Sequence, residues 1–345
     1  MTIPIEGRRI VLIGGAGFIG HHLAMELHRR GAQVEIIDAL TVNNLVAFQA
    51  TNQAVPNRDL YLHLINERIE LLREARIPLH VQDARDYQTL TQLMNLIQPH
   101  VIVHLAAVAH AGKANKNPYT TFDHSSRTLE NALDCARGNV EHFVYFSSSM
   151  VYGNFMTEAV TEDTRCDPIG IYGALKLGGE HLVRAYNQVF DLPYTIVRPS
   201  ALYGERCVSR RVGQVFIENA FKQLDLKVSG DGSGRLDFTY VGDLVDGIVR
   251  IIENERSRNE TFNLTYGSSR SIRDMVDILK EHFPDLSVTY EPSDALMPER
   301  GTLSVEKARQ LLGYAPRYPL EEGLVSYIQW YRKLFENHPD LLSVS

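Results

Sequence analysis

Tyr172 and Lys176, in the stretch YGALK, open a segment whose apolar spacing predicts a helix. Residues four apart share a helix face, so the ammonium is expected beside the phenol. A positive charge there stabilises the phenolate and lowers a pKa normally near 10 toward working pH, which makes the tyrosine usable as a general base. Upstream, the apolar run 141–147 ends in Ser147-Ser148-Ser149-Met150-Val151-Tyr152-Gly153. A serine hydroxyl at such a strand end can bridge a substrate oxygen and the phenol. By itself Tyr-x-x-x-Lys also occurs on ordinary surface helices, so its meaning depends on the elements that carry it.

The first of these elements is 10–20, IVLIGGAGFIG, which reads as strand, phosphate loop and helix. Gly14 permits a tight turn off the strand, Gly17 lets backbone approach a pyrophosphate, and Gly20 lets helix pack on sheet. Phe18, Ile19 and Gly20 form the first turn of that helix, whose unpaired N–H groups and positive dipole end favour an anion. A second apolar run, 33–38, ends in Asp38, placed to accept hydrogen bonds from an adenosine ribose. A carboxylate there repels a 2′-phosphate, so the expected cofactor is NAD rather than NADP.

Strand and helix then alternate. Residues 57–75 are helical by their apolar spacing and 77–82 form a third strand, followed by Asp83 and Ala84. Asp83 either holds an adenine amino group or caps the next helix. Residues 100–105 (HVIVHL) form a fourth strand running into Ala106 and Ala107, and small residues after Leu105 let a flat ligand lie against backbone. His104, inside that run, reads as a satisfied core histidine, whereas His110, in the polar loop beyond, is the better candidate for touching substrate. A proline-initiated helix, 118–137, leads to the fifth strand, 141–147. This alternation implies an α/β fold with a doubly wound parallel sheet and ligands at the carboxyl ends of its strands.

Composition sets the outer limits. The chain of 345 residues carries a net charge of −7, which argues against nucleic acid as its partner. Cys135, Cys166 and Cys207 lie far apart in no metal-binding spacing, so neither a disulfide framework nor a metal is expected. No stretch approaches the length of a membrane span and the first residues lack a signal-peptide core. A soluble, cytoplasmic protein is therefore expected.

Taken in order, GGAGFIG at 14–20, HLAA at 104–107, SSSMVYG at 147–153, YGALK at 172–176, RPSALYGER at 198–206, DFTYVGDL at 237–244 and LGYAPRYPLEEGL at 312–324 resemble the extended short-chain dehydrogenase/reductase family, in its branch of nucleotide-sugar epimerases and dehydratases. The resemblance implies a Rossmann domain over 1–200, to which 237–267 partly returns, and a smaller substrate domain formed by 201–236 and 268–345. It implies Tyr172 as base, Lys176 on the nicotinamide ribose, Ser148 as the hydroxyl partner, Pro199 against the cofactor, and a homodimer built on two helix pairs.

Where dehydratases of this branch carry Asp-Glu after the catalytic hydroxyl residue, this chain has Ser149 and Met150, which cannot move protons for an elimination. The expected reaction is therefore NAD-dependent epimerisation of a nucleotide-diphosphate sugar, at C4, through a 4-keto intermediate. The alternatives are a dehydrogenase or dehydratase of the same family and a non-catalytic NAD-binding regulator. Leu236 stands where relatives place a phosphate-binding arginine, with Arg235 one step earlier and on the opposite strand face. Arg206 and Arg211 in ERCVSRR, together with Arg300, which matches a family phosphate-binding position, are the other candidates for the substrate diphosphate. Ser149 is the neutral contact expected for the sugar.

Overall fold

In a computed structural model, which describes residues 2–49, 56–108, 111–292 and 297–342, seven of the apolar runs form one wholly parallel sheet. Its strands are β1 (Arg9–Ile13), β2 (Gln33–Asp38), β3 (Leu79–Val81), β4 (Val101–His104), β5 (His142–Phe146), β6 (Tyr194–Arg198) and β7 (Glu260–Asn263), in the order β7-β6-β5-β4-β1-β2-β3. β4, β5 and β6 are buried at every residue, as continuous Val/Ile/Phe runs covered by helices on both faces must be. The chain builds outward from β1 to β3 and then crosses back to β4. The order therefore reverses between β1 and β4, and a crevice opens at their carboxyl ends.

The strand predicted over 77–82 is confined to Leu79–Val81. Pro78 accepts a hydrogen bond from Ile36 N (2.9 Å) but has no N–H to return, so the ladder starts after it. The long helix predicted over 118–137 forms as Pro118–Phe122 and Thr128–Ala136, joined through a π-helical turn at Asp123–Arg127. Such turns concentrate at functional sites, and this one carries His124 to the crevice. His104 is buried as expected, but among the described residues neither ring nitrogen has a hydrogen-bond partner, and burial lowers its pKa to about 3, so the ring is neutral.

A second core forms among the helices Val212–Phe221, Ile272–His282 and Leu320–Asn337. Helix Arg58–Glu74, although it lies between β2 and β3 in sequence, packs into this second core. Its Tyr61 hydroxyl donates to Glu218 at 2.7 Å, and Glu218 also accepts from Tyr331 at 2.9 Å. β7 returns to the main sheet at its edge, as read from the sequence. Among the described residues, no helix is long and apolar enough to cross a membrane, and no cluster of His, Cys, Asp or Glu could hold a metal.

Candidate active site

The glycine loop turns off β1 at Gly14, whose φ of +83° suits glycine alone, and a Cβ there would stand 2.7 Å from Ala106 N. The close approach of Gly14 to Ala106 joins the ends of β1 and β4 into the floor of the crevice. Helix Phe18–Arg29 begins behind it with no side-chain cap on its first turn, which leaves N–H groups for an anion. Gly17, Phe18, Ile19 and Gly20 line the crevice on this side, and Leu105, Ala106 and Ala107 on the other.

Asp38 lines the crevice at the end of β2, with one carboxylate oxygen accepting from Ala16 N (3.0 Å) and the other from Leu40 N (2.8 Å). It therefore pins the glycine loop while keeping further lone pairs for a ribose. Burial raises its pKa. Asp83 does not cap the following helix, since Asp86 does so by accepting from Thr89 N. Asp83 is instead gripped by the fork of Arg85 at 2.6 Å, which lowers its pKa, and Arg85 also reaches Asp123 at 2.5 Å. Both Asp83 and Ala84 face the crevice. These glycines, the small residues of β4 and the acid at β2 fit a dinucleotide lying across the switch point.

The chemical groups meet where β5 ends. Ser148 leaves the strand and its Oγ accepts from Met150 N at 3.2 Å, starting the short 3-10 turn Ser149–Tyr152. Helix Gly170–Phe190 packs on that turn through Gly173, where a Cβ would stand 2.7 Å from Met150 O. Tyr172 stands one residue before this contact, in the first turn of the helix. Burial raises the Tyr172 pKa, while the Arg211 guanidinium and a hydrogen bond with Ser148 oppose that rise.

Lys176 shares the helix face of Tyr172 and also bonds the sheet. Its Nζ donates to Phe146 O at 2.6 Å and stands 6.0 Å from the Tyr172 ring centroid. The last carbonyl of β5 draws the buried ammonium back to the sheet, and burial lowers its pKa to about 8. Ser149 is buried at the exit of β5, and its N–H donates to Pro199 O at 2.9 Å, so Pro199 holds the strand exit in place.

Behind these groups lies a buried ionic network that the sequence did not single out. Glu180 accepts from Arg198 Nε and Nη2 (2.9 and 2.7 Å) and from Ser147 Oγ (2.6 Å), and Arg198 also donates to the Tyr152 hydroxyl at 2.9 Å. The only sequence signal was Glu180 standing one helical turn beyond Lys176.

The structure separates the arginines. Arg206 donates to His21 Nε2 (3.0 Å) and pairs with Glu67 (3.1 Å). Arg235 is exposed and donates to Ser269 Oγ and O at 3.0 and 2.6 Å. Arg211, in contrast, lines the crevice with Ser209, and its buried Nε has no partner. Arg300 lies close enough to Arg211 that burial and the like charge together lower its pKa to about 10. His110 lies outside the described residues.

Comparison with known proteins agrees with this geometry. The sequence model of the NAD dependent epimerase/dehydratase family matches residues 10–265. The uncharacterized UDP-glucose epimerase YtcB of Bacillus subtilis is 28% identical over 338 residues, spanning 95% of this chain and 99% of the relative. A UDP-glucuronic acid 4-epimerase from Bacillus cereus, solved with UDP-glucuronic acid and NAD, superimposes with a TM-score of 0.83 at 25% identity over 94% of this chain and 99% of that one. A UDP-glucose 4-epimerase from Thermotoga maritima, solved with UDP-glucose, gives a TM-score of 0.80 at 26% identity over 95% and 99%.

Proposed function

From the premise that the chain belongs to the NAD dependent epimerase/dehydratase family, we propose that it is an NAD-dependent 4-epimerase of a nucleotide-diphosphate sugar. The observation that carries this reading is the meeting of Tyr172, Ser148 and Arg211 beside a crevice shaped for a dinucleotide, with Ser149 and Met150 where an elimination needs an acid and a base.

Bound NAD supplies an acceptor and then a donor of hydride at the sugar carbon. The Tyr172 phenolate takes the proton of the sugar O4 and later returns it, while Ser148 holds that oxygen by a hydrogen bond. Lys176, anchored on Phe146 O with its Nζ 6.0 Å from the Tyr172 ring centroid, holds the nicotinamide ribose. Arg211 and Arg300 form a cationic pair for the substrate diphosphate, Arg211 having an unpartnered buried nitrogen. The planar guanidinium fork suits that anion. Inverting C4 requires the keto sugar to turn over while those arginines keep hold of its diphosphate.

The supporting assignments follow the same likeness. A Rossmann domain spans 1–200 with a return over 237–267, and the remainder forms a substrate domain. The chain pairs as a homodimer through Tyr119, Phe122, Val189 and Phe190, which leave large apolar surfaces exposed. Leu129, Leu133 and Val183, apolar positions on the same two helices, are core residues instead. Three unpaired thiols suit a reducing compartment such as the cytoplasm.

The test is incubation of purified protein with UDP-glucose, UDP-glucuronic acid and their 4-epimers, followed by chromatography of the products. Interconversion of one pair supports the reading. A lost water or carboxyl group, or net reduction of added NAD, contradicts it.

A further inference from the structure

Among the described residues Arg68 is the largest fully buried side chain, and no carboxylate is hydrogen-bonded to it. Helix Arg58–Glu74 carries it beneath the crevice, where Nε (2.9 Å) and Nη2 both donate to the Arg206 carbonyl. Its third nitrogen, Nη1, is buried with no partner, and Arg68 lines the same crevice as Gly17 and Asp38. Burial lowers its pKa to about 10, so at neutral pH it remains a buried cation. Asp38 favours this cation only through space, and a buried guanidinium with an unused donor and no hydrogen-bonded acid is costly unless a ligand brings an anion to that donor.

The surroundings indicate which anion that is. The Arg206 carbonyl that holds Arg68 is itself held over the first turn of helix Phe18–Arg29, because the Arg206 Nε donates to His21 Nε2 and the His21 ring bonds Gly17 O at 2.9 Å. Arg68 is thereby tied, through two residues, to the glycine at which a dinucleotide backbone can approach most closely. His21 and His22 add no charge, since burial drives both pKa values down, that of His22 to about 3. Glu67, the acid next to Arg68 in sequence, pairs with Arg206. Arg68 and the uncapped helix start thus line one crevice, where two sources of positive potential serve one anion.

We propose that Arg68 is a cofactor-binding residue whose Nη1 pairs with the pyrophosphate of NAD, a contact supplied from a helix that packs into the second core. This rests on the NAD-binding reading of the crevice but not on the reaction assigned to it. Asp38 argues against the other phosphate a dinucleotide can carry, because a ribose 2′-phosphate would lie against its carboxylate.

The test uses the full chain stripped of nucleotide, with NAD, ADP, adenosine and NADP titrated calorimetrically into wild type, Arg68→Met and Arg68→Lys. A charge-assisted hydrogen bond to phosphate predicts that Arg68→Met weakens NAD and ADP by about 10- to 100-fold and leaves adenosine within about 3-fold, with Arg68→Lys between. Unchanged ADP affinity in a variant with wild-type circular dichroism overturns the proposal, as does an equal loss for adenosine. NADP binding that exceeds NAD and vanishes in Arg68→Met would assign the contact to the 2′-phosphate and also overturn it. Should Arg68→Met not fold, a crystal structure of wild type with ADP decides: Nη1 within 3.2 Å of a diphosphate oxygen supports the contact, and any longer separation refutes it. A protein that binds NAD through Arg68 yet interconverts no sugar would refute the proposed function and leave this contact standing.

Discussion

Replacing Glu180 by Gln perturbs the network that backs the site with almost no change of shape. The Glu180 and Arg198 side chains are 0% and 3% exposed, and Glu180 also receives Ser147 Oγ and Arg184. Glutamine offers one acceptor oxygen where the carboxylate offers two, and it turns an NH2 toward the Arg198 fork. Arg198 then keeps its charge without a counterion, a situation that costs about 3–5 kcal/mol in buried pairs. Set against a typical total stability of about 5–15 kcal/mol, that is a large fraction.

Urea denaturation at pH 7 should show a lower midpoint with an unchanged slope. The acid side provides a second readout. Burial raises the Glu180 pKa, but the hydrogen bonds and charge of Arg198, with Ser147, more than reverse this, so the folded value lies below the usual carboxylate range. The stability it contributes is therefore full above the unfolded pKa near 4.3 and disappears as pH falls through the folded value. The gap between wild type and Glu180→Gln should narrow below about pH 4. A loss under about 1 kcal/mol at pH 7, or a gap that does not depend on pH, would refute the view that this pair is a net electrostatic anchor.

Other outcomes follow from the same geometry. Tyr172→Phe should lower turnover by at least about 100-fold while calorimetry still finds NAD binding, because only the proton acceptor is removed. Arg211→Gln should move the ascending limb of the kcat/KM–pH profile to higher pH, since Arg211 opposes the rise that burial imposes on the Tyr172 pKa; an unmoved limb with a raised KM would assign Arg211 to binding alone. Gly173→Ala should reduce kcat more than it changes substrate KM, because its Cβ would meet Met150 O at 2.7 Å and push Tyr172 from Ser148. Light scattering at micromolar concentration should report twice the chain mass, and Tyr119→Glu should shift it toward the monomer.

The sheet was legible because its strands are continuous apolar runs punctuated by glycine and proline, and its parallel order followed from their alternation with helices. The candidate trio Ser148, Tyr172 and Lys176 could be named from sequence because it sits in short local motifs. What the sequence could not reveal depended on distant segments. The hydrogen bond of Lys176 to the carbonyl of Phe146 is one case, made by packing thirty positions away in sequence. Of the four candidate arginines Arg300 alone matched a family position, and local pattern could not separate Arg206 from Arg211, yet Arg206 is engaged by His21 and Glu67 while Arg211 lines the crevice. Arg68 lay unnoticed in an amphipathic helix, because a single arginine among leucines reads as a polar face until the helix is seen to be buried there.

The measurement that bears most directly on the proposed function is the fate of a deuterium placed at C4 of the accepted nucleotide sugar during a single incubation without added NAD. Epimerisation by transfer and return predicts that both C4 epimers appear with the label retained at C4, and that in deuterated water no carbon gains solvent deuterium. Loss of the C4 label, solvent deuterium on carbon, or no reaction until NAD is added in stoichiometric amount to protein that already holds it would contradict it.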